Sequence, residues 1–113
     1  MNSPLYTVET NSSTIILGND GILRIVKKAD IFENLEDAHE NINVIKSMCR
    51  NNKHAALVDL RLLKDQEDEA IIHYSENAKK VNCIALALLV DSENSICIGI
   101  NNCKGNAPLC FYG

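Results

Sequence analysis

The sequence predicts an α/β domain on a mixed β-sheet, and three observations predict it. β-rich runs open the chain in quick succession, two of them joined by Gly18-Asn19-Asp20-Gly21. Two later apolar runs, His54–Leu60 and Ile84–Val90, show no polar alternation. Amphipathic helical stretches lie before and between those runs. Short continuous apolar runs read as parallel strands buried on both faces, and tight turns join antiparallel ones.

The elements follow in order. Leu5–Thr10 carries Tyr, Thr and Val and reads as a first strand. Thr14–Leu17 and Ile22–Val26 are the next two, and the Gly/Asn/Asp turn between them tolerates the positive φ of a hairpin. Asn34 is a good N-cap for a helix over Leu35–Asn51, with Asp37 at its positive end and Arg50 and Lys53 at its negative end. Leu35, Ala38, Ile42, Ile45 and Cys49 form its apolar stripe. Then comes the strand His54–Leu60. Asp65-Gln66-Glu67-Asp68-Glu69 opens a second helix with the stripe Ala70, Ile71, Tyr74, Ala78 and Val81, ending at Lys79-Lys80. Ile84–Val90 is the second parallel strand. Ser95–Ile100 is locally β-rich, but a parallel pair needs a crossover, so a short helix capped by Asp91 or Ser92 and running to Asn101 is preferred over a strand. Pro108–Tyr112 is the last strand. The order is β-β-β-α-β-α-β-(α)-β, with right-handed crossovers, in a single domain over residues 1–113.

Composition bounds the function. With 11 Lys+Arg against 15 Asp+Glu the net charge is −4, which argues against unspecific nucleic-acid binding, since that needs surplus cations. Only five residues are aromatic, Tyr6, Phe32, Tyr74, Phe111 and Tyr112, too few for a base-stacking surface. An apolar share of 46% fits an ordinary globular domain rather than a disordered chain. Met1–Thr10 lacks a basic and apolar leader, and the longest apolar run is the seven residues Ile84–Val90, against about 20 for a membrane span. We therefore expect a soluble, cytoplasmic protein with no membrane or nucleic-acid partner. The five cysteines, Cys49, Cys83, Cys97, Cys103 and Cys110, include no C-x-x-C pair and are expected to be reduced small hydrophobes.

With its Asp20-Gly21-Ile22-Leu23 hairpin, Leu57-Val58-Asp59-Leu60-Arg61 at the end of the middle strand and Ala85-Leu86-Ala87-Leu88-Leu89-Val90-Asp91-Ser92 at the next, the chain resembles the anti-sigma-factor-antagonist superfamily of STAS and SpoIIAA-like domains. It is most similar to a bacterial SpoIIAA-like branch of the Bacteroidetes type. The resemblance covers roughly Leu5 to Ile100 and implies a SpoIIAA-like mixed sheet acting through protein contacts. Two departures matter. The family closes with a helix after the last strand, whereas this sequence reaches Phe111-Tyr112-Gly113 directly after it, so that final helix is expected to be missing and a sheet face or the first helix left for a partner. The family's regulatory serine at the start of the second helix is replaced by Asp65–Glu69, which has no Ser or Thr, so the phospho-switch does not carry over.

No catalytic constellation is present. His39, His54 and His73 are scattered, Ser92 lacks a paired base, and no phosphate-loop motif occurs. The chain is expected to be non-enzymatic and to need no cofactor. Its expected role is a protein-interaction or regulatory module presenting the hairpin edge and the segment Arg61–Asp68. Arg61 would be a bidentate donor, Asp65, Glu67 and Asp68 an acidic rim, and Tyr74 an apolar contact. The partner is another protein or a second copy as a homodimer. The alternative is a small-molecule or divalent-metal site at the carboxyl edge of the sheet, near Asp59 and Asp91, where open α/β sheets place ligands.

Overall fold

The turn sets the opening hairpin. Gly18 N–H donates to Ile22 O and Gly21 N–H to Gly18 O, both at 3.1 Å. Gly21 takes φ 79°, where a side chain would be strained. A Cβ on Gly18 would lie 2.7 Å from Asp20 Oδ1 and 2.9 Å from Arg24 Nη1.

The computed structural model describes residues 6–106 and 110–112, with side chains described for 6–103. The elements are β1 (Tyr6–Glu9), β2 (Ser13–Leu17), β3 (Ile22–Lys27), β4 (Phe32–Glu33), α1 (Leu35–Cys49), β5 (His54–Asp59), β6 (Asp65–Gln66), α2 (Asp68–Asn77), β7 (Cys83–Leu89), α3 (Glu93–Asn106) and β8 (Cys110–Tyr112). The fold is a compact α/β domain on a mixed sheet of order β1-β2-β3-β5-β7-β8. β2 is antiparallel to both β1 and β3; β3, β5, β7 and β8 run parallel.

Local chemistry explains the helix ends. Asn34 Oδ1 accepts the Asp37 N–H at 2.9 Å and Asp37 Oδ2 accepts the Asn34 N–H at 3.1 Å, a reciprocal box that satisfies two amides at the start of α1. α1 ends at Cys49, two residues before the predicted Asn51, with Arg50 capping it in the left-handed region at φ 49°. At α3, the Ser92 hydroxyl accepts the Ser95 amide (3.1 Å) while the Ser95 hydroxyl accepts those of Ser92 (3.0 Å) and Asp91 (2.9 Å). The crossover requirement thus overrides the β propensity of Ser95–Ile100, and the helix runs past Asn101 to Asn106.

Three expectations need correction. The parallel strands are covered on one face only. His54, Ala56 and Val58 are buried, but Leu57 between them is exposed, as is Ile84 on β7. The helices form one layer, α1 against α2 and α2 against α3, packed over a core that includes Leu23, Ile25, Ile42, Ile45, Val58 and Leu88. Second, α2 starts at Asp68, because Asp65 and Gln66 pair in parallel with Phe32 and Glu33 instead of coiling. Third, Cys49, Cys83 and Cys97 are free but Cys103 is disulfide-bonded; spacing along the chain does not register cysteines that the fold brings together. The last strand is described from Cys110 onward, and the rest of the predicted Pro108–Tyr112 run lies outside the described residues. No helix among the described residues is long and apolar enough to cross a membrane.

Candidate functional site

The carboxyl ends of the parallel strands carry the predicted site residues, and the short β4–β6 pair organises them. Alternate residues of a strand point to opposite sides. Glu33 and Gln66 are buried, while their neighbours Phe32 and Asp65 face out in register with each other. The Asp30 N–H donates to Leu62 O (3.2 Å) and the Lys64 N–H to Ile31 O (3.0 Å). The loop after β3 and the loop after β5 are therefore one bonded unit.

Beneath it lies a buried polar network. Glu33 Oε2 accepts from Lys27 Nζ (2.8 Å), Ser12 Oγ (2.7 Å) and Asn41 Nδ2 (3.1 Å), and Gln66 Nε2 donates to Glu33 Oε1 (2.7 Å). Tyr74 Oη accepts from Asn41 Nδ2 (2.8 Å) and Lys27 Nζ (3.1 Å). Thr10 Oγ1 donates to Asn41 Oδ1 (2.6 Å), and Asn102 Nδ2 to Gln66 Oε1 (2.6 Å). Burial alone would strip the Lys27 proton, but the facing Tyr74 and Glu33 outweigh it and hold the ammonium above its usual range. Burial would likewise raise Glu33, yet Lys27 holds that carboxyl below its ordinary value. Burial pushes the Tyr74 hydroxyl up to about 12. These groups are ionised or bonded to one another, which ties three helices and both loops together.

Outside the network two large apolar side chains stand among exposed charges. Phe32 is 53% exposed and Leu62 62%. Arg61 closes a fork on Asp59, Nε to Oδ1 at 3.0 Å and Nη2 to Oδ2 at 2.8 Å, with its own amide also on Oδ1 at 3.0 Å. The guanidinium holds the Asp59 carboxyl below the usual carboxylate range. Asp65 and Asp68 are exposed, and Asp65 Oδ1 accepts the Gln66 amide at 2.8 Å. Glu67 stands at the N-cap position of α2 without capping it; its Oε1 accepts the Leu35 amide across the gap (3.1 Å), closing the start of α1.

The geometry thus brings Arg61, Asp65, Glu67 and Asp68 to one end of the molecule. Tyr74 does not join them, because its hydroxyl is bonded inside the network. Asp59 ends β5 and Asp91 follows the neighbouring β7, and Asp91 adds to the negative field on Arg61. Both Asp59 oxygens are taken by Arg61, however, and among the described residues no three His, Cys, Asp or Glu side chains could hold a metal ion. Sequence reasoning missed Phe32 and the network. A signal existed for part of the network: Lys27 shares the inward phase of Leu23 and Ile25, and Asn41 lies three residues from Ala38 on the apolar stripe.

A protein-family model described as a domain of unknown function, DUF7793, matches residues 16–108. No curated protein and no solved structure matches the chain.

Proposed function

The chain belongs to the DUF7793 family, and we propose that it is a non-enzymatic, cytoplasmic protein-docking module of SpoIIAA-like type that binds through the carboxyl end of its sheet. One observation carries this reading. Phe32 and Leu62 stand more than half exposed on the two segments that follow β3 and β5, which are bonded to each other and anchored from below by the buried Glu33–Gln66–Lys27 contacts. Large apolar side chains on a rigid base, ringed by Arg61, Asp65 and Asp68, have the layout of an interface centre with a polar rim. Rigidity favours binding because little side-chain and loop entropy remains to be lost.

The β-β-β-α-β-α-β-α-β order of the main elements and the positions of Asp59-Leu60-Arg61 and Asp91-Ser92 after adjacent parallel strands support the SpoIIAA-like assignment. The first turn of α2 carries Asp68 and Glu69, so docking is constitutive rather than switched by phosphate. Lys27 is held protonated and Glu33 is sealed from solvent, which suits anchoring and not turnover.

The test is site-specific photo-crosslinking in the source cell. A photoreactive residue at position 62 should yield a discrete crosslinked protein, and the same residue at position 57, exposed midway along β5 and at neither end of the sheet, should not. No product at position 62, or equal products at both, would refute docking through this surface.

A further inference from the structure

We propose that the partner of the carboxyl end is the amino end of a second copy, so that the chain self-associates head to tail. This rests on the docking reading above and names its partner.

Charge divides between the two ends of the parallel strands. At the amino end, Lys46, Arg50, Lys53, Lys79 and Lys80 are exposed, and none forms an ion pair among the described residues. At the carboxyl end, Asp30, Asp65, Asp68, Asp91 and Glu93 are exposed, against Lys64 and the Asp59-paired Arg61; at the amino end the exposed acids are Glu76 and the Arg24-paired Asp20, so each end keeps a surplus of one sign. Helix dipoles favour acids at helix starts and bases at helix ends. That accounts for Asp68, Glu93, Lys46 and the C-cap Arg50; Asp30, Asp65, Asp91, Lys53, Lys79 and Lys80 lie outside the helices, so the same polarity extends beyond the helix ends.

Shape matches the charge. Between the hairpin and the end of α1 a pocket of about 200 Å³ is lined by Leu17, Gly21, Met48, Cys49 and Asn52, with Lys53 at its side. A cavity of about 150 Å³ accepts benzene, so this one has room for a phenylalanine or leucine side chain. The opposite end offers Phe32 and Leu62. Each end alone lacks an occupant; together on one chain they supply it. The two patches differ, so the contact is heterologous and each copy keeps one free end, giving a ring or an open filament.

Light scattering and sedimentation of the full chain test this. The wild-type mass should climb with concentration and fall back in about 0.5 M salt, where charge pairing is screened. Leu62→Asp and Lys53→Glu, both at exposed positions, should each be monomeric with unchanged circular dichroism. Their equimolar mixture should form a dimer and nothing larger, since one intact end of each kind remains. A wild type that stays monomeric at every concentration overturns the proposal, as does a dimer that Lys53→Glu leaves intact. The crosslink at position 62 separates this failure from failure of docking itself. Products at whole multiples of the chain mass support self-association, one that includes a different protein overturns it while keeping the docking surface, and no product overturns both.

Discussion

Two ion pairs in this molecule have the same 2.8 Å separation and opposite standing. Lys27 and Glu33 are 4% and 0% exposed; Arg61 and Asp59 are 46% and 18% exposed. The first pair has left water, and each charge depends on its partner and on Ser12, Asn41, Gln66 and Tyr74 for what hydration would supply. The second can exchange its partner for water at little cost. Contact length therefore says nothing of importance here. Solvent decides, dividing the carboxyl end into a fixed interior and an adaptable exterior.

Removing one interior charge should have the largest effect. Lys27→Met leaves Glu33 ionised, buried and unpaired, a loss of about 3–5 kcal/mol. Urea unfolding should show a lower midpoint or no cooperative transition. Adding Glu33→Leu should restore part of that stability, because a buried pair replaced by apolar groups is often near neutral. Recovery stays partial because Ser12, Asn41 and Gln66 still lose their acceptor. A double variant no better than Lys27→Met alone would mean that the pair is not coupled.

Asn41→Ala comes next. Its Nδ2 lies within bonding distance of Ser12 Oγ, Ser13 Oγ, Glu33 Oε2 and Tyr74 Oη, and its Oδ1 accepts from Thr10. The loss should be about 1–3 kcal/mol, the range for leaving buried groups unsatisfied. It stays below the Lys27 effect because no bare charge results. Thermal unfolding of Asn41→Ala beside Lys27→Met ranks the two, and the reverse order would contradict the assignment of Lys27–Glu33 as the network's centre.

How much of this was readable follows from the same division. Local patterns announced the hairpin through Gly18–Gly21, α1 through Asn34 and its stripe, and the parallel strands through their apolar runs. The helix over Ser95–Ile100 followed from topology, against local propensity. Asp65-Gln66 was misread because dipole-favouring acids at a helix start look the same in sequence as acids in a two-residue strand; only its long-range pairing with Phe32-Glu33 decides. The exterior residues Arg61, Asp65 and Asp68 were legible because charges near strand ends default to solvent exposure. The interior network was not. Its members come from residues 10 to 102, and nothing local tells a solvated Lys27 or Asn41 from a buried one except its phase. The same limit placed Tyr74 among the contact residues.

A smaller effect concerns the α1–α2 seam. The His39 and His73 rings lie 4.0 Å apart, and His73 Nε2 is buried without a hydrogen-bond partner. Desolvation lowers the His73 pKa, His39, Lys46 and Lys80 push the same way, and Glu76 opposes them. A histidine with a depressed folded pKa binds its proton more readily when unfolded. Stability should therefore fall as pH drops from about 6.5, the ordinary histidine value, towards the folded pKa. His73→Gln should flatten this limb of the stability–pH curve without much change at pH 8. An unchanged limb would assign the acid sensitivity to another group.

The exterior pair should respond least. Arg61→Ala should leave the melting temperature nearly unchanged at neutral pH, because a solvent-exposed pair is screened by water and contributes little. Its signature lies in titration. Arg61 holds the folded Asp59 pKa below its unfolded value, so the pair contributes stability that is full above the unfolded pKa and fades as pH falls through the folded one. In Arg61→Ala that acid limb should shrink, and the Asp59 carboxyl, followed by NMR, should titrate closer to an ordinary aspartate. If Arg61 also lies on the docking rim, binding weakens while the melting temperature holds. A variant that lost stability as Lys27→Met does would make Arg61 part of the interior and erase the distinction between the two pairs.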